Sequence, residues 1–484
     1  MTPNEKNSST NHTNSGSNRI PIKDVTVVTP PPTNNYVEAS QHIYVRKVSG
    51  IFQRIRQRMN LLFMTVFALI PWLQYNGHQA VLFDITEQRF YLWGLTLWPQ
   101  DLTLLAWAFI IGAFLLFFVT TFIGRVWCGY LCPQTVWTFI FIWFEEQIEG
   151  SANQRKKLDE RKLDADKLWK KTLKHSCWLF FSVLTGLTFV GYFVPVDTLF
   201  IDFFQFNASF AIATTVWFFA FCTYGNAGWM REVMCLHMCP YSRFQSAMFD
   251  KDTVTVSYDY NRGETRAPRS RKIDHKAAGL GDCIDCNLCV QVCPTGIDIR
   301  DGLQYECINC GACIDACDGV MDKMKYPRGL IRYTTDHALE GKKVSPVRAK
   351  LLGYGIVLVI LSTLFIVDFS SRIPLSLDII RDRNELAREN FNGEIENVYT
   401  LKILNKSQTD NTYHLSAIGL AGIIWHGPQE VTVKAAQVYT LPINLAVDPF
   451  ELKSPITTIT FIIKQTSPAD DVVFEKESRF FKKR

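Results

Sequence analysis

The chain has 484 residues, 48% of them apolar, and 51 Lys and Arg against 46 Asp and Glu give a net charge of +5. At ~150 residues per domain, that length implies about three units. Fourteen cysteines in so long a chain exclude a small disulfide-stapled scaffold, and the composition excludes a collagen, a coiled coil and a wholly disordered chain; so small a net charge gives no reason to expect nucleic acid as a partner.

Residues 1–36 are rich in Asn, Ser and Thr and contain Pro30-Pro31-Pro32. They have almost nothing large and apolar to bury, so disorder is expected, and no apolar run marks a secretory signal. Five apolar stretches follow, near 59–76, 102–123, 176–195, 208–224 and 351–368. Each is roughly 17–22 residues, enough at about 1.5 Å per residue to cross a ~30 Å hydrocarbon core. Pro71 and Gln74 weaken the end of the first. A shorter run, Thr135 to Phe144, ends in Glu145-Glu146 and is expected in the interface or packed on the bundle.

The connecting loops alternate in charge. Residues 37–60 carry five Lys and Arg, 77–101 one, 150–174 nine, 196–207 none and 225–350 eighteen. The positive-inside rule then puts the N-terminus and the 225–350 segment in the cytoplasm and residues 369–484 on the far side. That last segment reads as β. Apolar and polar residues alternate along Glu396–Leu404, Gln429–Val433, Gln437–Leu445, Ile456–Ile463 and Val472–Phe480, with turn residues between them. Six or seven short strands in about 90 residues predict an all-β sandwich of immunoglobulin type, and it contains no Cys.

Eight cysteines form two runs, Cys283-x2-Cys286-x2-Cys289-x3-Cys293-Pro294 and Cys307-x2-Cys310-x2-Cys313-x3-Cys317. This is the spacing of a bacterial two-cluster ferredoxin, an α+β insert. Three thiolates on a tight loop hold three corners of a [4Fe–4S] cube and the fourth reaches back to the other cube. Cluster I takes Cys283, Cys286, Cys289 and Cys317; cluster II takes Cys307, Cys310, Cys313 and Cys293. Zinc sites normally lack the third close Cys and the x3 step. Asp318 stands where the first run has Pro294, which removes a turn constraint and no ligand.

Four more cysteines form an internal repeat, Cys128-x3-Cys132-Pro133 and Cys235-x3-Cys239-Pro240, each after the second span of a helical hairpin. On a helix, positions i and i+4 share a face, and Pro at the next position tends to end it. Three readings stand: a structural pair of thiols, a redox dithiol or additional Fe–S site, and a Cu(I) site with Met234, Met238 and His237 as soft neighbours. Cys177 and Cys222 read as small hydrophobes inside helices. Arg125 and Arg231 either pair with an anion or simply follow the positive-inside rule. The run Arg266 to Lys272 reads as a solvated or lipid-facing basic stretch, and Arg381-Asp382-Arg383-Asn384 has no assigned role.

These motifs, with Trp98-Pro99-Gln100-Asp101-Leu102, Arg125 to Thr135, Gly225 to Glu232, Cys239 to Gln245, Gly296 to Gln304 and Pro327 to Tyr333, resemble the cytochrome c oxidase accessory proteins called CcoG, FixG or RdxA over roughly residues 40–480. The membrane half is also similar to the quinol-dehydrogenase subunits of periplasmic nitrate reduction. The resemblance implies a multi-pass protein of the bacterial inner membrane that assists assembly of the cbb-type oxidase by reducing Cu(II) to Cu(I). Cys128, Cys132, Cys235 and Cys239 are then the transient copper site and the ferredoxin its electron source. Membrane lipid, oxidase subunits or copper-delivery factors and an unnamed electron donor are the implied partners. Two other functions compete: a quinol-to-ferredoxin conduit, which needs a quinone pocket the sequence does not display, and a scaffold whose clusters only sense redox state. The expected organisation is a disordered 1–36, a membrane domain 37–250 with four spans, a cytoplasmic 2[4Fe–4S] domain 251–345, a fifth span 346–370 and a periplasmic sandwich 371–484.

Overall fold

A computed structural model describes residues 43–272, 274–382, 385–467 and 472–482. The expected disordered start, Arg383 and Asn384 lie outside them. The chain divides into Met1–Ile43 and Tyr44–Arg484, and the elements of the described residues lie in the second unit.

The principal helices are, in chain order, α1 (Ile51–Leu69), α2 (Leu102–Ile123), α3 (Val126–Tyr130), α4 (Pro133–Ile148), α5 (Ala165–Val190), α6 (Phe210–Tyr224), α7 (Ala312–Met324) and α8 (Ala349–Ser370), with further helices between them, among them Ala152–Glu160, Val196–Phe204 and Pro240–Met248. Among the described residues three stretches are long and apolar enough to cross a membrane: Pro99–Ile123, Ala165–Val190 and Ala349–Ser370. They contain α2, α5 and α8. The other two expected spans are differently built. α1 starts at Ile51, not near 59, and so takes in Arg54, Arg56 and Arg58. It stops at Leu69, where Pro71 opens a 3₁₀ turn over Ile70–Trp72. α6 has 15 residues, about 23 Å at 1.5 Å per residue, and continues as π-helical turns over Gly225–Met230.

α5 begins where the Asp164 carboxylate accepts from Lys167 N at 2.8 Å, and α6 where Ser209 Oγ accepts from Ile212 N at 3.4 Å. α5 packs along α6, and α2 along α8. The Thr135–Phe144 run lies inside α4 and packs on this bundle. Its Val136 and Phe141 are fully buried, and Phe141 stacks on Trp178 of α5 at 5.1 Å. The loop between α1 and α2, expected only as a connection, holds a three-stranded antiparallel sheet of Val81–Asp84, Arg89–Leu92 and Leu95–Leu97.

The two cysteine runs sit between the antiparallel strands Thr255–Tyr258 and Ile331–Thr334, which pair and close the insert. After α8 come nine strands in two sheets. One has the order Ile424–His426, Val438–Val447, Ile395–Asn405, Leu375–Arg381, with Arg388–Glu389 also paired to Ile395–Asn405. The other runs Glu430–Val433, Asn411–Ile418, Ile456–Ser467, Val473–Phe481. Inward positions of both sheets, among them Leu401, Tyr399, Leu445, Leu415 and Phe461, form one apolar core. Five strands match the expected runs within a few residues; the other four, Leu375–Arg381, Arg388–Glu389, Asn411–Ile418 and Ile424–His426, were not expected.

Asp101, at the start of α2, ties the sandwich to the helices. Its Oδ2 accepts from Trp98 N at 3.1 Å and from Arg372 at 2.7 Å, and its Oδ1 accepts from Lys406 at 2.8 Å. All three charged side chains are largely buried. Removing the carboxylate strands two cations away from water, which costs about 3 kcal/mol or more. Asp101→Asn is therefore expected to lower the melting temperature of the purified protein, followed by Trp fluorescence. An unchanged melt contradicts this account of the triad.

Candidate functional site

The two cysteine runs fold into matching loops. Cys286 is flanked by Asp285 and Asn287 in the left-handed region, and Cys310 by Asn309 and Gly311. Asn, Asp and Gly tolerate that conformation, and it wraps each loop tightly enough to bring its thiols round one point. One cavity is lined by Cys283, Cys286, Cys289 and Cys317. The second is lined by Cys293, Cys307, Cys310 and Cys313, with Cys289 in the wall between the two. The structure thus brings the fourth thiol of each run to the other run's loop. No His or carboxylate lines either cavity; the first also has Arg300. This donor set, all soft thiols with at most a cation beside them, fits a [4Fe–4S] cube at each place.

Burial pushes the Cys317 thiol up to about 12, with Cys289, Cys283 and Cys286 adding to the effect. It does the same to Cys289 and Cys307, each to about 12, and raises Cys293 and Cys313. Free thiolates are disfavoured in both cavities. A cationic iron core reverses that, because ligation offsets the charge that burial opposes. Sequence reasoning passed over Arg300. It is buried and holds Asp298, Asp285 and Asn287 together, with Asp285 and Asn287 each at 2.6 Å. It stood in the Gly296 to Gln304 motif without a role. Arg269, in the stretch expected to be solvated or lipid-facing, donates to Cys283 O at 3.1 Å and to Gly281 O at 2.5 Å, and so clamps the first loop.

The membrane repeat departs from the expected single helical face. Cys128 lies on α3, whereas Cys132 caps α4 with Pro133 at its first position. In the second copy Cys235 lies in the π-helical turn Met234–Met238, and Cys239 caps the helix Pro240–Met248. Pro lacks the N–H that a first helical residue leaves unused, so here it starts a helix as well as ending one. The four thiols are still neighbours. Burial raises Cys235 to about 12, and Cys132, Cys128 and Cys239 raise it further. Cys128 is pushed up to about 11 by burial, against the Gln245 amide that donates to its Sγ at 3.2 Å. His237 and Met238 are exposed. Among the described residues no three His, Cys, Asp or Glu side chains converge as a single-ion site.

Arg125 and Arg231 are both buried, with specific partners, so neither is a free charge on an exposed loop. Arg231 donates to Glu145 Oε1 at 2.6 Å, and Glu145 Oε2 takes Arg155 at 2.6 Å. Arg125 donates to Ser242 O at 3.0 Å and to Tyr305 O, just before Cys307. The membrane motif and the second cysteine loop are in direct contact. A Cβ on Gly129 would lie 2.7 Å from Ile308 O and 3.0 Å from Cys310 Cα. Tyr130 Oη donates to Cys310 O at 3.2 Å. Gly311, where the first run has Asn287, meets Phe52 of α1 with 2.9 Å left for a Cβ. Gly129→Ala is expected to displace the Ile308–Cys310 loop, changing the low-temperature EPR of the protein while leaving the signal from the Cys283 loop. Identical spectra contradict this seating.

Three family models match the chain. One described as a 4Fe-4S dicluster domain covers residues 230–336, one described as a 4Fe-4S binding domain covers 105–144, and one described as the IG-like fold at the C-terminal of FixG covers 365–483. Protein RdxA of Cereibacter sphaeroides is 38% identical over 395 residues, 79% of this chain and 83% of that one. Nitrogen fixation protein FixG of Rhizobium meliloti is 35% identical over 420 residues, 79% of this chain and 80% of that one. The crystal structure of a FixG-related protein from Vibrio parahaemolyticus is 43% identical and covers 23% of this chain and 98% of its own, with a TM-score of 0.21. With 4Fe-4S domains, the FixG C-terminal fold and more than a third of its residues shared with RdxA and FixG over about four fifths of their length, the chain belongs to the FixG/RdxA family of iron–sulfur electron-transfer proteins.

Proposed function

We propose that this chain is a five-span protein of the bacterial inner membrane that reduces Cu(II) to Cu(I) during assembly of a cbb-type oxidase. α1 and α6 are the two spans added to the three apolar ones. The loop charges support an N-terminus and ferredoxin in the cytoplasm and a sandwich in the periplasm. The domains follow the boundaries at 36, 250, 345 and 370, and oxidase subunits or copper-delivery factors are the partners. Cys283, Cys286, Cys289 and Cys317 hold one [4Fe–4S] cluster, and Cys307, Cys310, Cys313 and Cys293 the other. When bound, these clusters supply one-electron transfer.

The chain's own residues do the rest. Cys128, Cys132, Cys235 and Cys239 present soft donors that prefer Cu(I) to Cu(II), so binding there favours uptake of one electron by the substrate ion. Gly129 and Tyr130 hold this thiol patch on the second cysteine loop. Gln245 orients Cys128 through its Sγ. The observation that carries the reading is that Cys128 packs in one apolar cluster with Cys310, Ile308 and Val292, so donor and acceptor sites share a wall. A second reading, in which the four thiols hold a further iron–sulfur site, draws on the 4Fe-4S binding domain match over residues 105–144.

Anaerobically purified protein is expected to hold about eight Fe, since each cube has four. Cys317→Ala should abolish the same EPR signal as Cys283→Ala, and Cys293→Ala the same signal as Cys307→Ala. Pairing of Cys293 with Cys283 instead would overturn the crossed ligand set. Protein reduced with dithionite and freed of excess reductant should reduce Cu(II), and Cys128→Ala or Cys235→Ala should slow this at least tenfold with iron unchanged. Unchanged rates remove the copper role, whereas loss of iron in these two variants supports the further iron–sulfur site.

A further inference from the structure

Apart from the thiol sites, α1 and α4 enclose a cavity of about 430 Å³. One end is apolar, with Leu61, Met64, Phe139 and Trp143. Leu61 and Trp143 are also exposed, at 70% and 52%, so this end opens on the apolar flank of the helices. The other end is polar, with Arg56, Asn60 and Glu146 in its lining. Arg56 and Asn60 stand one turn apart on the same face of α1 and are 3% and 9% exposed. Arg56 Nη1 and Asn60 Oδ1 are buried without a hydrogen-bond partner. The Arg56 guanidinium lies 3.9 Å over the Phe139 ring, which fixes its plane.

Buried polar atoms are nearly always satisfied, and these two ask for opposite things. The guanidinium N–H needs an acceptor and the amide oxygen needs a donor. An anionic phospholipid head, the occupant that Arg46 and Lys47 in the lining would favour, answers Arg56 with phosphodiester oxygens, which only accept, so a donor for Asn60 has to come from elsewhere in the head. It also meets the Glu146 carboxylate. A neutral ring with two oxygens, one of them a hydroxyl, and an apolar tail answers both ends. The cavity adjoins the thiol loops as well. Val292 lines it and precedes Cys293, and Val48 lines it and packs in the apolar cluster of Cys310 and Cys128.

We propose that this cavity binds a membrane hydroquinone, one ring hydroxyl donating to Asn60 Oδ1 and the other ring oxygen accepting from Arg56 Nη1, and that this is where electrons enter the protein. The proposal rests on the reading of the chain as an iron–sulfur electron carrier. Oxidation of the hydroquinone to the quinone releases two electrons and two protons. The two [4Fe–4S] clusters take one electron each. The protons leave to water past Glu146, whose carboxyl is raised by burial and so takes up a proton more readily than an exposed one.

The test is photolabelling of the full-length holoprotein in lipid nanodiscs with a short-chain azidoquinone. Label is expected on peptides within 53–64 and 137–146, and excess unlabelled ubiquinone analogue should compete it away. Asn60→Leu, and Met64→Trp, which fills the apolar end, should each cut labelling at least fivefold with iron content and melting temperature retained. Decylubiquinol should bleach the cluster absorbance of the parent protein and fail to bleach either variant. Label elsewhere, or label that phosphatidylglycerol displaces and ubiquinone does not, overturns the proposal. Cu(II) reduction by the dithionite-reduced parent protein is measured alongside. Its failure with labelling intact counts against the copper reading and leaves the quinol site standing; the converse result counts against the site alone.

Discussion

Backbone meets backbone where Gly129 of α3 lies against Ile308, Asn309 and Cys310. A side chain of any size at Gly129 would hold the cysteine loop off the membrane motif, and much else follows from its absence. Tyr130 reaches Cys310 O only at this separation, and its hydroxyl also lies 3.1 Å from Tyr333 Oη on the strand that closes the insert. Arg125 reaches across to Tyr305 O from the residue before α3. α1 is held in the same way, because Asp315 of α7 accepts from Phe52 N and Gln53 N at 3.2 and 2.7 Å and so caps it. The insert is seated on the helices by polar contacts to main chain, a mode that fixes register more firmly than apolar packing, whose contacts are non-directional.

The duplicated membrane motif keeps its cysteines and changes its surroundings. Both second cysteines cap helices that open with Pro, and at Cys132 burial raises the thiol while the backbone N–H groups of Thr135 and Gln134 work against that rise. The arginine that precedes each motif has been put to separate uses. Arg125 holds the iron–sulfur insert, while Arg231 holds Glu145 on α4 and so anchors the π-helical segment that carries Cys235. One copy docks the insert and the other is tied into the bundle. That division leaves Cys128 packed against one cysteine loop.

The parts legible in the sequence depend on near neighbours. Cysteine spacing within each run set the loops, and the x3 step to the fourth Cys announced the exchange between runs. Alternation marked five strands, yet Asn411–Ile418 alternates just as well, with Tyr413, Leu415 and Ala417 packed inward, and was passed over among polar neighbours. The Cys-x3-Cys-Pro motif is ambiguous in sequence because Pro reads equally as a stop and as a start. α1 was placed too late because its three arginines lie on a helix that polarity alone excludes from an apolar run.

What the sequence determined by itself is the chemistry available: eight thiols spaced for two cubes, four more in a repeat, and charged loops segregated along the chain. These are properties of residue type and short separation, so no folded structure is needed to read them. Tertiary structure alone decided which of these meet. Arg125 and Tyr305 are 180 residues apart, and Arg231 and Glu145 are 86 apart; neither pairing leaves a periodic mark. The cavity of Arg56 and Asn60 exists only because α4 closes it from the far side of the loop that carries the sheet. Its two unpaired atoms look like ordinary polar residues of an amphipathic helix until the packing of α1 against α4 takes water away from them.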